Sequence, residues 1–190
     1  MFRTVHLLAA GVLCGGLLAG CAAPVMEAAS ITKDQVIYDQ NIEQARAGNA
    51  EAQYKVGEAQ CCNLIDAGEK AGLYNTVEAV RWLCKSAAQG YGPAAYKVGK
   101  VYAGDVVDGV RLMRRAAAGI IGTVENPPVA YAWLRQAELK GVDGAKDRAS
   151  DLWKDMTPAQ WQEATKLVQS KAPLPCDWDK VIGAKAPADS

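Results

Sequence analysis

The chain has 190 residues, with 21 basic and 21 acidic side chains, so it is formally neutral. That balance offers no basic surface for nucleic acid and no acidic solvating block. Half of its residues are hydrophobic but only 7% are aromatic, which points to helices packed through small side chains rather than to a β-sandwich.

The first element is an apolar run from Leu7 to Leu18, preceded by Arg3 and closed by Leu17-Leu18-Ala19-Gly20-Cys21. A basic start, a short apolar stretch and a small-residue end mark an export signal. The closing Leu-x-[Ala/Gly]-[Ala/Gly]-Cys resembles the lipobox of bacterial lipoproteins. By that resemblance residues 1–20 are a removed signal peptide. Cys21 is then the lipidated mature N-terminus of a membrane-anchored protein facing the periplasm. Ala22, where an aspartate would retain a lipoprotein at the inner membrane, favours the outer membrane. The competing readings are an ordinary secretory signal or a membrane anchor, but the run is short of the about 20 residues that span a bilayer. The one histidine, His6, and the one phenylalanine, Phe2, both lie in the removed segment. A mature chain without histidine excludes Ser-His-Asp and Cys-His catalysis, histidine-ligated zinc and histidine-ligated haem.

Residues 21–31 read as a lipidated tether. Thr32-Lys33-Asp34-Gln35 has the capping-box spacing and predicts a helix from about 33 to 47. Two helix pairs follow. Tyr54-Lys55-Val56-Gly57 recurs unchanged as Tyr96-Lys97-Val98-Gly99, and Trp82-Leu83 recurs as Trp133-Leu134. Gly48, Gly90 and Gly141 close helical runs, where a left-handed cap favours glycine. Pro127 and Pro128 suit the first turn of the second Trp-bearing helix. Ala52, Gly57, Ala95 and Gly99 leave room for a close helix approach, and Tyr54, Trp82 and Trp133 are expected to fill the space between helices. Thr157-Pro158-Ala159-Gln160 predicts a trailing helix to about 170, with Trp161, Ala164, Leu167 and Val168 on its apolar side.

These motifs resemble Sel1-like repeats, relatives of the tetratricopeptide class. The family runs Ala-x-x-Tyr-x-Leu-Gly, a Gly-rich loop, then Ala-x-x-Trp-Tyr-x-Lys-Ala-Ala-x-x-Gly. Residues 51–57, 79–90, 94–99 and, more loosely, 130–141 carry the match. The long connections at 62–76 and 104–126 depart from it. The resemblance implies an all-α fold over residues 32–170, a right-handed α-solenoid of antiparallel helix pairs with a concave surface for a partner. Residues 171–190 form a Pro-rich tail expected to be partly disordered.

Four cysteines remain after the anchor: Cys61, Cys62, Cys84 and Cys176. An even number in an exported chain predicts two disulfides. A Cys61–Cys62 bond is disfavoured because neighbouring residues close it only with distortion. If the first helix reaches them, the two side chains point about 100° apart. That leaves one joined to Cys84 and the other to Cys176. Metal and redox readings are weaker, since there is no Cys-x-x-Cys pair.

Arg111, Arg114 and Arg115 would form one basic strip on an extra helix at 108–118, a candidate contact for an acidic partner or a solvated face. Asp143, Asp147 and Asp151 would make an acidic helix face. The expected function is a lipid-anchored periplasmic scaffold for protein–protein interaction in the envelope, with a protein or peptide partner. No catalytic residue, metal or cofactor is expected. The alternatives are a carboxylate-based hydrolase of cell-wall glycan and a purely structural lipoprotein.

Overall fold

A computed structural model of the chain describes residues 19–62, 73–105 and 125–183. Among these residues the protein is all-α, with eight helices and no strand. They are α1 (Ala19–Arg46), α2 (Ala50–Ala59), α3 (Thr76–Ala88), α4 (Gly92–Tyr102), α5 (Pro127–Leu139), α6 (Ala145–Asp155), α7 (Pro158–Gln169) and α8 (Trp178–Gly183). The chain divides into two units, through Lys33 and from Asp34 onward. The first is helical over its described residues. The second contains the core.

α1 begins earlier than the capping signal at Thr32 predicts, and it runs through the expected tether at 21–31. Alanines at 19, 22, 23, 28 and 29 favour the helix, while Gly20 and Pro24 oppose it, so propensity alone does not set this start.

The other helix ends follow the local chemistry. Gly48, Gly90 and Gly141 have φ of 97°, 86° and 71°. After each, the next residue donates back across the helix end: Asn49 to Gln44, Tyr91 to Ser86 and Val142 to Ala137. This bond satisfies carbonyls that the helix itself leaves open. Thr157 and Gln160 form the predicted capping box, and Pro127 and Pro128 open α5.

α2/α3 and α4/α5 are built by the same contacts. Asn75 caps α3 by accepting from Glu78 N, and Asn126 caps α5 by accepting from Val129 N. The backbone N–H of each asparagine donates to the chain leaving the preceding helix, Asn75 to Gln60 and Asn126 to Tyr102, both at 2.9 Å. Gly57 admits Leu83, and Gly99 admits Leu134; both leucines are fully buried. Adjacent helices then pack in chain order from α2 to α6, and α5 also packs on α7. Ion pairs tie α2 to α4 through Glu58–Lys97, and the end of α4 to α6 through Asp105–Arg148.

The main core gathers Val80, Leu83, Val98, Tyr102, Trp133, Leu134 and Leu152. A smaller cluster holds Ala45, Ala52 and Val56, with Tyr38, Ile42 and Trp82 packed on it. Trp133 is buried, as its repeat position predicts. Trp82 is only half-buried, with the Lys85 ammonium 4.5 Å from its ring centre. The two tryptophans share a register but not an environment: Trp133 donates to Pro175 in the returning tail, whereas Trp82 packs on the Ala45, Ala52 and Val56 cluster.

Candidate functional site

Residues 171–183 are drawn across the two helix pairs as a strap. Cys176 is bonded to Cys84 on α3, with Cα atoms 6.0 Å apart. The Trp133 indole N–H donates to the Pro175 carbonyl at 2.9 Å. Trp178 stacks on Tyr102 with ring centres 5.8 Å apart, and Asn126 donates to the Val181 carbonyl. Tyr102 is fully buried and its hydroxyl has no hydrogen-bond partner among the described residues. Burial, and then the nearby Asp177 charge, raise its pKa. Cys176 thus pins the tail to α3.

The partners differ from expectation. Cys84 bonds Cys176 rather than one of the adjacent pair, and Cys61 bonds Cys62. α2 ends at Ala59 with Gln60 as its cap, so Cys61 and Cys62 lie beyond the helix. The helical angle that would splay their side chains therefore does not apply.

Cys21 lies near the start of α1. Arg111, Arg114 and Arg115, and the whole expected helix at 108–118, lie outside the described residues. The acidic face is shorter than the spacing suggests. Asp143 sits in the turn before α6, because Gly144 at φ 74° sets the start of that helix. Asp147 and Asp151 remain on α6, both exposed. Hydrogen bonding from Lys154 holds the Asp151 carboxyl below the usual range.

A second feature was missed in the sequence. Beside Trp153, one face of α7 forms a shallow, open depression lined by Pro158, Trp161, Gln162, Thr165, Lys166, Gln169 and Ser170. Trp153 stands near the end of α6 and Trp161 in the first turns of α7. Their rings stack with centres 5.8 Å apart and planes 19° from parallel. Tyr131 of α5 packs on Trp153 at 4.8 Å. The Trp161 indole N–H donates to the Trp153 carbonyl at 2.8 Å, an oxygen that also accepts from Met156 N at the end of α6. The available signal was two tryptophans flanking the Thr157–Gln160 box, which placed both rings at one helix junction. The exposed polar side chains of this face are Gln162, Thr165, Lys166, Gln169 and Ser170.

Compared with protein-family models, with curated proteins and with solved structures, the chain matches none. The fold and its contacts therefore carry the functional reading.

Proposed function

We propose that this protein is a lipid-anchored helical-repeat scaffold of the bacterial envelope that holds a protein or peptide partner, and that it is not an enzyme. One observation carries the reading: two successive helix pairs use the same glycine–leucine contact, the same asparagine cap and the same closing glycine. Such duplication is how repeat proteins extend a binding face by stacking units that cannot bury their cores alone.

We read the stack as a short right-handed solenoid of Sel1-like repeats. The ion pairs Glu58–Lys97, from α2 to α4, and Asp105–Arg148, from the segment just after α4 to α6, link successive units and support that arrangement. The anchor is Cys21, by its lipobox resemblance. Among the described residues no helix is long and apolar enough to cross a membrane.

Photo-crosslinking from exposed positions in intact envelopes tests the reading. A discrete protein adduct that disappears in Cys21→Ser supports a scaffold working at the membrane. Turnover of purified cell wall, lost in Asp147→Asn or Asp151→Asn, would replace the scaffold with a hydrolase.

A further inference from the structure

We propose that the Cys61–Cys62 bond is a reversible redox site: a dithiol opens it with the fold intact, and opening lets α2 run on to Cys61. The site does not depend on the anchor or on the scaffold reading. Three observations carry it.

The first is loop size. Cys61–Cys62 joins neighbours, whereas Cys84–Cys176 joins residues 92 apart. In the chain-entropy model a disulfide stabilises a fold more, the larger the loop it closes. Linkage is reciprocal, so the fold shields a disulfide from reduction as much as the disulfide stabilises the fold. That shielding is smaller by roughly a hundredfold for the neighbouring pair. All four cysteines are half-buried, so access does not separate the two bonds.

The second is the end of the helix. Successive side chains on a helix stand about 100° apart, so a helix through both residues and a bond between them exclude each other. The second unit shows the same helix end without a bond. When the two Tyr-Lys-Val-Gly motifs are aligned, Ala103 and Gly104 occupy the positions of Cys61 and Cys62. Ala103 N donates to Gly99, four residues back, at 2.9 Å, and Gly104 turns the chain at φ 75°. Cys61 N donates instead to Glu58, three residues back, at 3.1 Å. The chain therefore leaves α2 one residue sooner than it leaves α4. The bonds from Asn75 N to Gln60 and from Asn126 N to Tyr102 are nevertheless the same in both units. A helical Cys61 is thus compatible with the cap of α3.

The third is an unmet acceptor. Gln60 Oε1 is buried without a hydrogen-bond partner among the described residues. A disulfide carries no S–H group, whereas the opened pair brings two donors to the adjoining positions.

The step is thiol–disulfide exchange with a dithiol as reductant, such as the Cys-x-x-Cys pair of a disulfide oxidoreductase. One thiolate attacks one sulfur, the S–S bond breaks, and the released cysteine thiolate takes a proton. The second thiol of the reductant then displaces the other cysteine from the mixed disulfide. Two electrons pass to the protein, and the reductant leaves as a disulfide.

Titration of the full-length, detergent-solubilised chain with dithiothreitol tests the proposal, with free thiols trapped by iodoacetamide and located by peptide mass. Cys61 and Cys62 should be trapped together at a concentration about tenfold or more below that which opens Cys84–Cys176. Amide protection at Val98 and Leu134, both in the core, should not change. Protection at Cys61 should rise about tenfold, as one added helical bond implies. Oxidised glutathione should restore the disulfide. Cys61→Ala with Cys62→Ala mimics the open form without reductant; it should show the same gain at position 61 and melt as the wild type does. Three results would overturn the proposal: Cys84–Cys176 opening at the same or a lower concentration, loss of core protection when Cys61–Cys62 opens, or an unchanged amide at position 61 in both the reduced chain and the alanine pair.

Discussion

Gly99 lies so close to Leu134 that a Cβ on the glycine would stand 2.7 Å from the leucine Cγ. Gly57 and Leu83 repeat the relationship at the same distance. The glycine is therefore a socket, and its partner leucine is fully buried in each case. Alanine at position 99 gains about 1 kcal/mol of helix propensity. It also overpacks the socket, at about 1–3 kcal/mol.

Gly99→Ala should accordingly destabilise the protein. Leu134→Ala should cost about 2–5 kcal/mol through its cavity. In that background the cost of alanine at 99 should fall or vanish, because the two side-chain collisions are gone and only the residue-134 backbone N, at 3.2 Å, remains close. Urea denaturation of the single and double variants reads this coupling. Additive effects would mean that the two residues do not meet.

The strap should carry much of the global stability. The Cys84–Cys176 bond closes a loop of 92 residues. Cys84→Ser should lose about 4–5 kcal/mol in the chain-entropy model. Peptide mapping without reduction should recover a Cys84–Cys176 peptide from protein made in the periplasm. A free thiol at either position contradicts the strap.

The two repeated tryptophans should behave differently. Trp133 is buried and donates to Pro175. Trp133→Ala should cost about 3–5 kcal/mol. Trp133→Phe, which keeps the ring but leaves the carbonyl unmet, should cost about 1–3 kcal/mol. Trp82 is half-buried, and Trp82→Ala should cost clearly less than Trp133→Ala in thermal denaturation. Equal losses would place both rings in the core.

That contrast also shows where local sequence stops deciding structure. Caps are local: Gly48, Gly90, Gly141 and the Thr157–Gln160 box stand where their neighbours require them. The glycine sockets were legible because a small residue recurring in register has a steric meaning. The path of the tail was not legible, because it depends on Cys84 and Trp133 facing the same gap from helices far apart in sequence. Burial at Trp133 follows from that path, so the repeat alone could not separate it from Trp82. The position of Asp143 turned on a single left-handed residue, Gly144. The stacking of Trp153 on Trp161 needed two short segments read together across a turn.

Acid should loosen the strap. Asp177 caps α8 by accepting from Lys180 N at 3.2 Å. That bond first, and the Lys180 side chain second, hold its carboxyl below the usual range. A depressed folded pKa means that the stabilisation is complete above the unfolded value of about 3.9. It is lost as pH falls through the folded pKa. Amide protection at Lys180 and Val181 should be constant from about pH 8 to 5 and fall below about pH 4. Asp177→Asn keeps an acceptor at the cap and should remove the acid dependence. Unchanged pH sensitivity in that variant would assign it to another group.

The anchor is the claim on which location and scaffold role both depend. Several acyl chains on one residue hold a protein firmly, since each buried methylene contributes about 0.8 kcal/mol, whereas one chain is marginal. The most direct measurement is the mass of the N-terminal peptide from protein extracted from bacterial membranes. The account predicts a mature chain beginning at Cys21 with acyl groups on that residue, and release from the membrane or failed processing in Cys21→Ser. An unmodified Cys21, or a Cys21→Ser protein that is processed and fractionates as the wild type, would contradict it.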